Sequence, residues 1–408
     1  MDPLPEPELT GDALAARLRD LGRALHHGAP LWRTRPWQQR RLDWEDELPA
    51  LSAWCRGLSD DALYRLEQDP FLADAPAPWP ALARDLAPLL EVGPLPRAPV
   101  DPPDPRRIPA RKARQIAALA EVGATLPDGE IIEWCAGVGH LGRHLAAARG
   151  QPAVLVERDP SLCRDPYDTP PMRPVRHLTA DAFDPATPAR LPTGAVWVGL
   201  HACGSLTDRL LDAATARDAA AVLAAPCCLH RLHHADAYAP RSSIGRADDP
   251  HLHHLDLRMA TREAVHAGAR RTRLRSNELH RRTAWDLWRR EATGVDAHHA
   301  LPLLPRGTFD LELGVFLREQ AAAQGVDGHP ADLTGLSRAA EARVREIRAL
   351  ELPRLLFRRA IELWVAADRA QSLADQGWTA RLGTFCAADA TPRNLAIAAS
   401  GRTAAAAV

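Results

Sequence analysis

Five short apolar runs, each separated from the next by a helical or polar stretch, constrain the fold of this chain more than any other feature. They are Ile131–Cys135, Ala153–Val156, Val175–Leu178, Ala195–Leu200 and Ala221–Ala225. Runs of about five residues without polar alternation describe strands buried on both faces, and helical connections return each strand parallel to the last through a right-handed crossover. A sheet built this way binds ligands outside the carboxyl ends of its strands. Near the C-terminus a long amphipathic helical stretch, "LPRLLFRRAIELWVAADRAQSLADQG", precedes "WTARLGTFCAA" and "LAIAAS", two strand-like runs across the turn "TPRN". These predict an antiparallel hairpin that closes the sheet.

The remaining sequence divides around this pattern. Residues 1–104 hold helical patterns broken by proline-rich joints such as "ADAPAPWP" and read as an α-helical N-terminal domain. Residues 105–229 carry the parallel strands, 230–349 read as an α-helical insertion, and 350–408 supply the last helix and the hairpin. With 46% hydrophobic and 25% charged residues the composition is that of a globular chain. The start, "MDPLPEPELT", lacks a basic segment leading into an apolar one, and no apolar run reaches the roughly 18 residues a membrane span needs. A cytoplasmic protein with no membrane association and no evident obligate protein partner is expected. Seven cysteines in so long a chain argue for reduced thiols rather than a disulfide framework. The formal charge of −1 gives no global attraction to nucleic acid, so local patches must supply any.

The first strand opens into "EIIEWCAGVGHLGRHLAAARG", where Gly137, Gly139 and Gly142 form G-x-G-x-x-G between a strand and a helix. That layout presents backbone N–H groups to an anionic or zwitterionic cofactor. Glu133 separates two cofactor classes. A carboxylate at the strand's mouth would repel a dinucleotide's pyrophosphate but balance the ammonium group of S-adenosylmethionine. The C-terminal hairpin points the same way, since it is the methyltransferase variant of the doubly wound fold. Glu157 ends the second strand, where it can accept both ribose hydroxyls, and Asp181 after the third suits the adenine amino group. The expected cofactor set is Glu133, Cys135, Ala136, Gly137, Gly139, Gly142, Glu157, Arg158, Asp181, Ala182 and His201.

The fourth and fifth strands end in "VGLHACGSLTDRLL" and "LAAPCCLH". Together with "EWCAGVGHLG" these resemble a methyltransferase family that includes the eukaryotic tRNA acceptor-stem ribose methyltransferase and the methyltransferase module of the glutathione-S-transferase C-terminal-domain-containing protein. Relatives are similar in carrying H-x-C-G-x-x-T-D after the fourth strand and a cysteine pair after the fifth. The matches here are His201, Cys203, Gly204, Thr207 and Asp208, then Pro226, Cys227 and Cys228; "IPARK" and "GTFCAADATPRNL" resemble an uncharacterised bacterial branch. The resemblance implies an α/β fold, a doubly wound Rossmann-like methyltransferase sheet with a C-terminal β-hairpin, and an RNA acceptor, tRNA or rRNA.

The residues themselves leave the chemistry of the pocket floor open. His201 can take a proton from a hydroxyl or ring nitrogen, with Asp208 orienting it or the acceptor. Alternatively one thiol of Cys203, Cys227 and Cys228 adds to a pyrimidine, or these cysteines with His230 ligate a metal, or they are small buried hydrophobes. No metal is assigned. "ARRTRLRSNELHRRTAWDLWRRE" interleaves arginines with Trp285 and Trp288, as a base-stacking, phosphate-tracking surface would, or as a solvated helix whose tryptophans pack inward. Arg273 and Arg281 there, and Lys112 and Gln115 in "PARKARQI", are the candidate substrate-binding residues. Methylation of a small molecule or protein, and non-catalytic binding of S-adenosylmethionine or RNA, are the competing readings.

Overall fold

The computed structural model describes residues 7–103, 108–163, 174–261 and 269–402. Its centre is an eight-stranded mixed sheet with the strands β1 (Leu9–Thr10), β2 (Ile131–Trp134), β3 (Ala153–Glu157), β4 (Val175–Thr179), β5 (Val196–Gly199), β6 (Ala221–Ala224), β7 (Trp378–Thr384) and β8 (Leu395–Arg402). The order across the sheet is β1-β7-β8-β6-β5-β2-β3-β4. Strands β2 to β6 pair in parallel, and β7, β8 and β1 join antiparallel. The five expected runs and the hairpin are all strands of this sheet. Each residue of β2, β5 and β6 is buried, which is why those runs lack alternation. The aromatic rings of Trp134 in β2 and Trp197 in neighbouring β5 pack with centroids 5.4 Å apart.

The order reverses at β2, which lies between β3 and β5. The chain winds one way through β3 and β4 and the other way through β5 and β6, so the crevice at the carboxyl end of β2 is the topological switch point. The G-x-G-x-x-G loop leaves from that end.

The chain divides into two compact units. The first comprises 1–27, 85–262 and 358–408 and contains the whole sheet; the second comprises 28–84 and 263–357 and is helical. The helical N-terminal segment therefore contributes to both units, and residues 230–262, read from sequence as the start of the insertion, belong with the sheet. In the second unit the helix Ala269–Thr293 buries Trp285 and Trp288 with Phe309, Phe316 and Leu317 in a small core. Among the described residues no helix is long and apolar enough to cross a membrane.

Candidate active site

The loop after β2 is built from residues in unusual backbone conformations. Cys135, Gly137 and Gly139 have φ of 58°, 58° and 80°, a region that side chains with a Cβ rarely occupy. The two later glycines are needed for contact as well. A Cβ on Gly139 would lie 2.2 Å from Leu155 Cδ1, and one on Gly142 would lie 2.6 Å from Leu155 Cδ2 and 2.9 Å from a Glu133 oxygen. The helix His140–Arg149 can therefore seat directly on β3. At Gly137 nothing lies within 4 Å of where a Cβ would be. One side of the loop is pressed against the sheet, and the other is an open cradle of backbone.

Two carboxylates organise this loop. Glu157, at the end of β3, accepts at Oε2 from Gly137 N–H (2.9 Å) and at Oε1 from Asp159 N–H (2.9 Å). A carboxylate offers about four lone-pair positions, so two remain for the hydroxyls of a ribose. Glu133 is buried inside β2 and accepts from Gly142 N–H at 2.7 Å, capping the helix that follows. Burial pushes its carboxyl up to about 7 against the opposing pull of that N–H, Lys112 and Arg143. Glu133 thus serves the helix N-terminus directly, a role its sequence position did not disclose. At the mouth of β4, Asp181 accepts from Phe183 N–H (2.9 Å) and lies 3.7 Å from the exposed Arg158. Ala136 and Ala182 are buried beneath these loops, and burial pushes the Cys135 thiol up to about 12, which leaves it protonated.

The other half of the crevice lies at the ends of β5 and β6, where an isolated parallel bridge pairs Cys203 with Cys227. Gly204 N–H donates to the Cys227 carbonyl (2.9 Å), Ser205 N–H to the Arg231 carbonyl (3.1 Å), and Arg231 N–H to the Cys228 carbonyl (2.9 Å). Gly204 has φ of 58°, and a Cβ there would stand 2.1 Å from the Arg231 carbonyl oxygen. Only glycine fits that crossing of two loops. The Sγ atoms of Cys203 and Cys227 are 3.1 Å apart, and with Cys228 all three lie within 4.8 Å of one another. Hydrogen bonds from its two neighbours make Cys228 the first of the three to lose its proton, with Arg393 and His230 adding to the effect, while Cys227 is held above the ordinary thiol range by donating to them.

His201 is exposed to solvent at the mouth of β5. Desolvation by its surroundings, then Lys112 and Arg393, lower its basicity. Lys112 reaches this region from the helix Ala110–Gly123, and it acts on Glu133, His140 and His201 alike. In the sequence Arg393 reads only as part of the turn "TPRN". It sits between β7 and β8 and donates to the Thr261 carbonyl (3.4 Å), beside Thr261 Oγ1, which pairs with His230 Nδ1 (3.1 Å). A charged residue in the hairpin turn next to the fifth parallel strand was the signal that could have singled it out.

Three sequence expectations change. The structure pairs Asp208 with Arg369, a fully buried guanidinium on the helix Arg358–Ala374 that donates to both its carboxylate oxygens (2.8 and 3.0 Å). Gln115 is buried and donates to the Ala390 carbonyl (3.3 Å), so it holds the hairpin connection and faces no substrate. Arg281 spends its guanidinium on the Leu311 carbonyl (3.2 and 2.9 Å) and His280 (3.0 Å). With Trp285 and Trp288 buried, that helix offers no stacking surface through them. Arg273 is exposed; Arg270 and Arg271 lie outside the residues whose side chains are described.

Residues 111–235 match the model of a family described as a methyltransferase domain. That segment of the first unit is similar to a methyltransferase domain over about a third of the chain. The match runs from the Lys112 helix through the glycine loop, the three acids and the cysteine cluster, so both halves of the crevice fall inside it. No curated protein and no solved structure matches the chain significantly. Of the site residues, Arg393 and Arg369 lie beyond the matched segment.

Proposed function

We propose that the chain transfers a methyl group from S-adenosylmethionine to RNA. The observation that carries the cofactor reading is the glycine loop at the sheet's switch point, with an open backbone face at Gly137 and Glu157 bonded to its edge. Glu157 would hold the ribose hydroxyls with its remaining lone pairs, Asp181 the adenine amino group, and Glu133 would add negative charge beneath the methionine ammonium. When bound, the cofactor supplies an electrophilic methyl group. The protein's own contribution is to align the acceptor and receive its proton, and His201, solvent-accessible at the mouth of β5, is the group available for that.

The RNA acceptor rests on the resemblance of "HACGSLTD" and "PCCLH" to RNA-directed relatives, with Lys112 as a cation beside the pocket. Calorimetric titration with S-adenosylmethionine is expected to show binding that Gly137→Val abolishes, because a branched side chain fills the cradle. Tight NADH binding without a response to S-adenosylmethionine would overturn the cofactor. Nucleoside mass spectrometry of bulk RNA from a deletion strain is expected to reveal one missing methylated nucleoside. An unchanged RNA profile together with methyl transfer to a protein or small molecule would overturn the acceptor and leave the reaction type standing.

A further inference from the structure

Beyond the methyl-transfer reading, we propose that Cys203, Cys227 and Cys228 bind a thiophilic divalent cation, with Zn2+ as the probe, at the joined ends of β5 and β6. Three features carry it. The Sγ atoms come from two different strand ends yet all lie within 4.8 Å of one another, the spread of ligands around a single ion. In a tetrahedral thiolate site with bonds of about 2.3 Å the sulfur–sulfur edge is about 3.8 Å, so the Cys203–Cys227 pair must open by about 0.7 Å, a side-chain adjustment.

The backbone beneath the thiols is also held from several directions. The Cys203 and Cys227 bridge, the Gly204 bond to the Cys227 carbonyl and the Arg231 bond to the Cys228 carbonyl fix all three ligand-bearing residues. Cys228 adopts a left-handed conformation (φ 45°), which is costly for a residue with a side chain. Such strain persists where surrounding structure over-determines it, and it is common where side chains converge on a ligand. Third, the guanidinium of Arg393 stands near Cys228, so the excess negative charge of three thiolates around a divalent ion has a fixed cation beside it. Soft sulfur donors select zinc over magnesium or calcium, and three of them leave a fourth tetrahedral position for water. Among the described residues a second grouping of ligand atoms, Asp236, His253 and His254, is weaker, because Nδ1 of His253 already accepts from Leu255 N–H as a helix cap.

The full chain, purified without a metal-binding tag from zinc-replete medium, is expected to contain one equivalent of zinc by mass spectrometry of the elements. Cobalt substitution is expected to produce the intense sulfur-to-metal charge-transfer absorption of thiolate ligation. Cys203→Ser and Cys228→Ser should lose both signals while circular dichroism is retained, and Cys163→Ser should keep them. If the serine variants fail to fold, alkylation of the wild type decides: zinc should protect Cys203, Cys227 and Cys228 from maleimide, and a chelator should expose them. Folded wild type that takes up no zinc, a Cys203–Cys227 disulfide in its place, retention of zinc by a folded Cys203→Ser or Cys228→Ser variant, or unprotected thiols in zinc-saturated protein would each overturn the site. None of these readouts depends on S-adenosylmethionine or RNA, so the metal site and the methyl-transfer reading fail separately.

Discussion

The backbone N–H of Gly137 donates to Oε2 of Glu157 across 2.9 Å, tying the loop after β2 to the end of β3. One carboxylate thereby fixes the cradle and stands ready at its edge for a ligand hydroxyl. Glu157→Ala should remove both functions. Losing a charge-assisted hydrogen bond and leaving the loop N–H to water costs about 1.5–3 kcal/mol, or roughly 10- to 150-fold in S-adenosylmethionine affinity by calorimetry. Glu157→Gln should fall between, since its amide oxygen can still accept from Gly137.

Gly137 and Gly204 share a φ of 58° but differ in what surrounds them. Alanine at 137 meets open space, so its cost is the left-handed backbone alone, about 1–2 kcal/mol. Alanine at 204 adds a 2.1 Å clash with the Arg231 carbonyl oxygen, which must push apart the ends of β5 and β6. Chemical denaturation should show Gly204→Ala as the far more destabilised of the two, with Gly137→Ala still folded at room temperature.

The Asp208–Arg369 pair predicts a stability effect where sequence suggested catalysis. Arg369 is fully buried, and removing its bidentate partner leaves a guanidinium in the interior without its carboxylate. Asp208→Asn should destabilise the fold by about 3–5 kcal/mol in denaturant titration. Methyl transfer by the folded fraction should be near normal; a turnover defect larger than the loss of folded protein would return Asp208 to the chemistry.

The parallel strands β2, β3, β5 and β6 were legible because burial on both faces forces continuous apolar runs, and the glycine loop because its spacing follows from backbone geometry. β1 was not legible. It is two residues long and owes its place to Thr10, whose hydroxyl donates to the Ala380 carbonyl (2.9 Å), a partner 370 residues away. Arginine roles were equally hidden, for a reason the composition explains. In a chain with a single lysine, arginine fills nearly every cationic task, and nothing local separates Arg369, sealed in the interior, from Arg273 in solvent. The stripe of arginines and tryptophans in Ala269–Thr293 likewise resolves only when tertiary partners are known: Arg290 pairs with Asp286 and Asp296 while Trp285 packs inward.

Glu133 makes stability depend on pH. Its carboxyl in the fold lies at about 7 against an ordinary 4.5, with desolvation the dominant cause and Lys112, Arg143 and the N–H groups of Leu141 and Gly142 opposing it. The folded chain therefore holds this proton more tightly than the unfolded one. Its contribution is fully present below about 4.5, is lost as pH rises towards about 7, and stays lost above. Glu133→Gln keeps an oxygen for Gly142 and removes the titration, so wild type minus variant in melting temperature should fall across that window and then level. Cofactor affinity should run the other way, rising with pH as the carboxylate forms beneath an ammonium, and should be flat in the variant. A wild-type affinity that is also flat would remove Glu133 from contact with the cation.

The last expectation concerns the proton released when the acceptor is methylated. His201 is the accessible imidazole at the mouth of β5, whereas Cys135 is protonated and Asp208 is engaged by Arg369. His201→Ala should lower the single-turnover rate roughly 10²- to 10⁴-fold with S-adenosylmethionine affinity nearly unchanged. Added imidazole should restore part of that rate, because a diffusible base can occupy the vacated space; an imidazole that only supports the loop would not be replaced this way. RNA carrying a fluorinated pyrimidine should form no covalent adduct with the protein, since the thiols of β5 and β6 are assigned to one another and to a cation. An adduct that disappears in Cys227→Ser or Cys228→Ser would instead assign the step to nucleophilic attack by sulfur, with His201 left to position the base.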